Sequence, residues 1–431
     1  MKKLLIISPH FPPINGADMH RVRQSLPYYR EYGWEPTVVC VDPVEVEAAQ
    51  DELLLQSIPT RVRIIRVGAF STHITRKFGL GSLGLRSLWF YWCQVNQLLQ
   101  TEKFDLIFFS TTQFPILVLG NYWRKHFGIP YVVDMQDPWY SDYYLNKPKA
   151  EQPPKYWFSY RLNKWLEPIA MRRVAAIIAV SAAYNHTLCA RYPWLKPERC
   201  HTITFGAFEA DIEIARQAPT TPLELAPGQK SVVYVGRGGH DMQRAIRLVF
   251  QAFQMGLTRQ PELFSSLRFF FWGTSYAPQG QGKPTLAPVA EEMGLGNYVQ
   301  EIPDRLPYFQ ALRLLTEADL LLIPGSDDPQ YTASKIYPYI LAKRPCLSVF
   351  HEQSSAAAIL QQVGSGPVIT FNDNPDQDEN QAESLYRQWL MVLDEGLRTP
   401  QINHTAFAPH LAQAKTRAQV DVFNQVVASN A

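Results

Sequence analysis

The stretch "KLLIISPHFPPINGADMHR", residues 3–21, sets a short apolar run against a turn with three prolines and a single glycine, Gly16. A run that is apolar at every position suits a strand covered on both faces, as in parallel sheets flanked by helices. The helical spacing of "RVRQSLPYYREYG" (21–33) follows directly. This strand–turn–helix order recurs along the chain. In the first half the runs are "PTVVCV" (36–41), "VRIIRV" (62–67), "DLIFFS" (105–110), "YVVDM" (131–135), "AAIIAVS" (175–181) and "CHTITF" (200–205). Helical spacing such as "RSLWFYWCQVNQLLQTEK" (86–103) fills the gaps, and "LWFYWCQV" (88–95) within it reads as a packed core helix.

The rhythm pauses at the proline-rich, aperiodic segment 209–230, which reads as an interdomain linker. It restarts with "SVVYVG" (231–236), "LRFFFWG" (267–273), "YVQEIP" (298–303), "DLLLIPG" (319–325), "CLSVF" (346–350) and "PVITF" (367–371). Two doubly wound α/β domains in tandem are therefore expected: 1–208, then 231–409 after the linker. The length of 431 residues, too great for one ordinary core, agrees.

Composition narrows the function. A net charge of +2 excludes wholesale binding of nucleic acid, so electrostatic recognition must be local. The five cysteines are scattered without CxxC spacing, which argues against a disulfide framework or structural zinc and for reduced thiols. The N-terminal apolar run is too short for a signal-peptide core, and no segment approaches the roughly 18 uninterrupted apolar residues of a spanning helix. A cytoplasmic protein is expected.

In doubly wound sheets, ligands bind beyond the carboxyl ends of the strands. The unusual sequence is found there: His10, Asn15, Gly16, Asp18, His20 and Arg21 after the first run, "DMQDPW" (134–139) after the fifth, "GRGGHDMQR" (236–244) and "PGSDDPQYTASKIYPY" (324–339). No GxGxxG follows the first strand and no GxxxxGK[ST] occurs, which disfavours a dinucleotide oxidoreductase and a P-loop enzyme. Arg237 and Arg244 flank a glycine turn before a helix, an arrangement suited either to a diphosphate or to solvent. Lys335 falls in the first turn of a helix, where the dipole favours anions, so it points to a negatively charged ligand or to an indifferent surface site.

The ordered set "FPPxxGAxxxR", "FDLIFFS", "GIPYVVDMQDPW", "AAIIAVSAAYN", "VVYVGR" and "SKIYPYILAKRPCL" resembles the GT-B glycosyltransferases of family 4. The resemblance implies a GT-B fold, two Rossmann-like domains facing each other across a cleft, with a C-terminal helix at about 410–431 packing back on the first. It implies a retaining glycosyltransferase that takes a nucleotide-diphosphate sugar and a glycan or lipid-linked acceptor, in cell-surface polysaccharide or glycolipid assembly. No cofactor or metal is implied, and "DQD" (376–378) is not expected to be a metal motif.

Residue by residue, the resemblance implies donor binding by Asn15, Gly16, Arg237, Arg244, Gly273, Ser334, Lys335 and Tyr337. His10, Arg21 and Trp139 fall on the acceptor side. Asp137 is implied as the group near the sugar and acceptor; the alternative is an Asp that caps a helix. One departure matters. Two glutamates common in the family fall on Gln330 and Pro338, and proline cannot hold a ribose through its side chain, which keeps open a non-catalytic GT-B protein that binds a glycan or partner. Segment 139–168 interleaves aromatics with Lys147, Lys149, Lys155, Arg161 and Lys164, suited to a solvated connecting helix or to peripheral contact with the inner face of an anionic membrane.

Overall fold

The computed structural model describes residues 1–140, 142, 145, 156–328 and 335–430. The chain divides into two compact units, Met1–Gly206 with Ala412–Ala431, and Ala207–Leu411.

In the first unit the strands are β1 (Lys2–Ile7), β2 (Trp34–Val41), β3 (Arg63–Val67), β4 (Leu106–Ser110), β5 (Tyr131–Met135), β6 (Ala176–Ala179) and β7 (Cys200–Thr202). They form one parallel sheet in the order β3-β2-β1-β4-β5-β6-β7. The opening apolar run is explained by its alternation. Leu5 and Ile7 pack with Val39, Phe109 and Trp123 on one face, while Leu4 and Ile6 pack with Val38, Phe108 and Phe423 on the other. Neither face is open to water from Leu4 to Ile7, so no polar position is tolerated there.

Phe423 belongs to the C-terminal helix Ala412–Ala428, whose ring lies 5.0 Å from Phe108 and 5.7 Å from Trp34. The helix Leu83–Thr101 buries Tyr91, Val95, Leu98 and Leu99, yet leaves Trp89 56% exposed and stacked on Trp92 at 5.1 Å. The segment "LWFYWCQV" is thus only half core. The run at 200–205 gives a strand only over Cys200–Thr202.

The second unit holds β8 (Lys230–Val235), β9 (Leu267–Trp272), β10 (Val299–Ile302), β11 (Leu320–Pro324), β12 (Cys346–His351) and β13 (Val368–Phe371), in the parallel order β10-β9-β8-β11-β12-β13. Trp389 of the helix Asp378–Asp394 closes one end of its core against Phe253, Phe264 and Phe269. The stretch read as a linker opens with a helix, Glu209–Ala215, that belongs to this unit; Tyr308 donates a hydrogen bond to its Asp211 at 2.7 Å.

Both sheets reverse their winding beside a central strand, at β1/β4 and at β8/β11. The carboxyl ends of these strand pairs are the topological switch points where such folds take ligands.

Candidate functional site

In the first unit the turn after β1 carries Asp18 into a buried polar cluster. Its Oδ1 lies 2.8 Å from His10 Nδ1. Its Oδ2 accepts from the Thr111 hydroxyl (2.9 Å), the Thr112 N–H (2.9 Å) and the Thr112 hydroxyl (3.1 Å) at the end of β4. Burial pushes the Asp18 carboxyl up, but His10 and the threonine donors outweigh it and hold the group below its ordinary value. Asn15 donates its backbone N–H to the Ala49 carbonyl at 2.8 Å, which ties the loop tip down. A Cβ on Gly16 would sit 3.0 Å from Asp18 Oδ1 and 3.1 Å from His10 Nδ1, so glycine leaves room for that pair.

A second carboxylate, Asp134 at the end of β5, is wholly buried. Arg21 Nε lies 2.8 Å from its Oδ2, which also accepts from Ser110 (2.8 Å) and Gln136 (2.8 Å). Gln136 reaches back to the Asp18 carbonyl at 3.0 Å, joining the two carboxylate clusters. Arg21 is not presented to an acceptor. Its side chain is 2% exposed, donates to the Ile203 carbonyl (2.7 Å) and lies over the Phe205 ring. Burial of Asp134 demands a cation, and Arg21 is the one supplied.

Trp139 is also enclosed, stacked on Phe114 at 5.6 Å with its indole N–H on Asn163 (3.2 Å). It braces the loop and offers no open face for a sugar ring. Asp137 beside it is exposed, yet the surrounding protein and then the negative charge of Asp18 raise its carboxyl above the ordinary value. A raised carboxyl at the surface is a competent proton acceptor. His20, which shares the turn, bonds to Arg23 at 3.0 Å.

In the second unit the turn Gly236–Gly239 follows β8. Arg237 makes a two-pronged pair with Asp241 (2.9 and 2.6 Å), whose Oδ2 also accepts from Ser326 at 2.7 Å, just past β11. Arg237 first, against burial, then Ser326, hold the Asp241 carboxyl below its ordinary value. The Tyr234 hydroxyl donates to the Arg237 carbonyl at 2.8 Å and accepts from Lys335 Nζ, which also lies 4.9 Å from the Tyr234 ring centre. A Cβ on Gly236 would come 3.0 Å from Lys335 Nζ, so backbone and ammonium meet only because that residue has no side chain. Burial first, then the Arg237 charge, lower the Lys335 ammonium to about 7, with Asp241 opposing. Arg237 and Lys335 are thus brought together.

Arg244 is not brought with them. It pairs with Asp378 at 2.8 Å and lies over the Phe371 ring. This also accounts for "DQD": its last Asp starts a helix and neutralises an arginine, and among the described residues no group of His, Cys, Asp and Glu is placed to hold a metal. Arg244→Ala is expected to leave nucleotide affinity within about twofold while costing about 1 kcal/mol of stability, read by calorimetric titration and by denaturation.

Gly273 closes β9 at φ +70 with its N–H on the Ile302 carbonyl (2.9 Å). Tyr337 is buried against His410 at 3.2 Å. Ser334, Gln330, Lys147, Lys149 and Lys155 lie outside the described residues. Sequence reasoning missed Tyr234, Asp241, Gln136 and the Thr111–Thr112 pair as site-building groups. Only their position at strand ends signalled them.

Two parallel α/β units with switch points of this kind define a GT-B glycosyltransferase fold, and comparison with known proteins agrees. Residues 20–206 match the model of Glycosyltransferase Family 4. The whole chain is similar to HepE of Anabaena, solved in complex with UDP-glucose, at 17% identity over 100% of this chain and 99% of that one, TM-score 0.52. It is also similar to the UDP-forming α,α-trehalose-phosphate synthase from Burkholderia xenovorans, at 15% identity over 99% of each chain, TM-score 0.55. A third similar structure, from E. coli and bound with UDP-2-fluoro glucose, is 12% identical over 98% of this chain and 99% of that one, TM-score 0.53. No curated protein sequence matches the chain.

Proposed function

We propose that the protein transfers a sugar from a UDP-sugar to a hydroxyl of a glycan or lipid-linked acceptor, with retention at the anomeric carbon. The observation that carries this reading is the approach of Lys335 Nζ to the turn after β8, where it donates to the Tyr234 hydroxyl, which itself donates to the Arg237 backbone carbonyl, while the Arg237 guanidinium, paired with Asp241, lies close enough to lower the lysine. Departure of UDP places developing negative charge on its outer phosphate. Two fixed cations held by protein hydrogen bonds stabilise that charge without reorganising, so the step needs no metal. The family match and the UDP-glucose complex of HepE support a uridine nucleotide as carrier; retention follows from the family resemblance.

On the acceptor side, Asp137 takes the proton of the hydroxyl, which attacks from the same face of the sugar that UDP leaves, as retention requires, and the Trp139 brace holds its loop. A lipid-linked acceptor suits the helix Tyr156–Met171, which leaves Trp157 and Trp165 each 65% exposed beside Arg161 and Lys164. Among the described residues no helix is long and apolar enough to cross a membrane, so any such contact is peripheral in this reading.

A thermal-shift comparison of UDP, GDP and ADP tests the donor: stabilisation by UDP alone is expected, and none at millimolar concentration removes the donor site. Release of UDP from UDP-sugars then tests catalysis, and the anomeric configuration of the product tests retention. Asp137→Asn should lower kcat by about 10²- to 10⁴-fold with UDP affinity unchanged. Pro338, inside the helix Ile336–Leu341, favours a second reading in which UDP or a glycan binds without transfer; binding with no turnover of any UDP-sugar would select it.

A further inference from the structure

The first unit has a cavity of about 400 Å³ at the amino ends of β6 and β7, at the opposite end of the strands from Ser110, Asp134 and Gln136. Four arginines line it: Arg124 near the end of the helix Val118–Phe127, Arg172 and Arg173 just before β6, and Arg199 just before β7. Glu198 is the one carboxylate in its wall, and His201 of β7 adds an imidazole.

Many arginines elsewhere are neutralised, although Arg86, Arg268 and Arg344 also bond only to backbone carbonyls. Arg30, Arg63, Arg191, Arg244, Arg247 and Arg313 each sit on a carboxylate. Among the described residues, none of the four around the cavity has a carboxylate within ion-pair distance. Their recorded partners are neutral oxygens: Arg124 donates to the Gly128 carbonyl (3.0 Å) and to the Asn430 side chain, and Arg173 to Asn121 Oδ1 at 2.8 Å. Such bonds orient a guanidinium without neutralising it. Four like charges around one concave surface repel each other and raise a positive potential that an oxyanion relieves. Guanidinium geometry matches phosphate oxygens in particular.

The rim says what accompanies the anion. Trp194 is 48% exposed, and its ring is fixed by an indole N–H bond to the Met171 carbonyl at 3.2 Å. It and Arg172 also line an adjoining depression with Pro168 and Ile169. A flat or apolar moiety attached to the anion meets a flat, apolar surface there. We propose that this cavity binds the phosphate group of a phosphorylated ligand, whether a free small molecule or a lipid headgroup, at a site separate from the UDP-sugar cations.

Calorimetric titration with inorganic phosphate in the presence of saturating UDP, and sedimentation with phosphatidylcholine vesicles with and without phosphatidic acid, test it on the full chain. Binding of a soluble anion or of the phosphatidic acid vesicles alone is expected, and which of the two occurs identifies the source. Arg172→Ala with Arg199→Ala, both exposed positions, should weaken that binding at least tenfold, while Arg237→Ala should leave it unchanged. Equal binding by the double variant, loss of binding in Arg237→Ala, or no binding of either anion or vesicle would overturn the proposal. The donor reading rests on Arg237 and Lys335 and stands in each of those cases.

Discussion

Lys335→Ala is expected to weaken UDP binding by about 10- to 150-fold and Arg237→Ala by a similar factor, the value of one charge-assisted hydrogen bond at about 1.5–3 kcal/mol. Calorimetric titration reads it. The lysine should also show itself in pH dependence. With Nζ lowered to about 7 by burial and by Arg237, the free protein loses the proton as pH rises through neutrality. A diphosphate favours the charged ammonium, so binding takes up a proton above about pH 7. UDP affinity should therefore fall between pH 7 and 9 by as much as tenfold per unit, a range above the outer phosphate ionisation near 6. Lys335→Ala should abolish this slope. A flat profile in the natural protein, or an unchanged slope in the variant, would remove Lys335 from the phosphate site. If the same group stabilises departing UDP, kcat should also fall by about 10²- to 10³-fold in the variant.

Arg21→Ala is expected to cost about 3–5 kcal/mol, because it leaves the wholly buried Asp134 carboxylate without its cation. For a unit of this size that corresponds to roughly 6–20 °C in Tm. The deficit has a predictable pH dependence. Burial already raises the Asp134 carboxyl against the opposing pull of Arg21, Gln136 and Ser110. Removing Arg21 raises it further, so the folded variant holds a proton that the unfolded chain releases. Stability of the variant then rises as pH falls from 7 toward 5, and its deficit against the natural protein narrows. Adding Asp134→Asn to Arg21→Ala should recover part of the loss at pH 7, since Ser110 and Gln136 still have an oxygen to bond. A pH-independent deficit of under about 1 kcal/mol would instead restore Arg21 to an acceptor-facing role.

The fold was legible because its signal is local. Leu4 to Ile7 must be apolar at every position when both faces of the strand are covered, and the same constraint repeats at Leu106–Phe109 and Leu320–Ile323. Strand runs, the order of elements and the restart near Ser231 follow from that alone. The linker boundary was less legible: Glu209–Ala215 has too few residues to show a period, and its attachment depends on Tyr308, far along the chain. Arg237 and Lys335 were legible as candidates through their setting, Arg237 after a glycine at a strand end and Lys335 where a helix dipole disfavours it.

What the sequence by itself determined is the tandem parallel α/β architecture and the strand ends at which chemistry gathers. Only the tertiary structure decided which partner each charged side chain meets. Arg21, Arg237 and Arg244 all follow a central strand, yet Arg21 is enclosed by Asp134, Arg244 is taken by Asp378, and Arg237, paired with Asp241, lies beside Lys335 at the turn after β8. A guanidinium is recorded in the sequence, but its electrostatic fate depends on a carboxylate that can be more than a hundred positions away, and the fold alone brings the two within 3 Å.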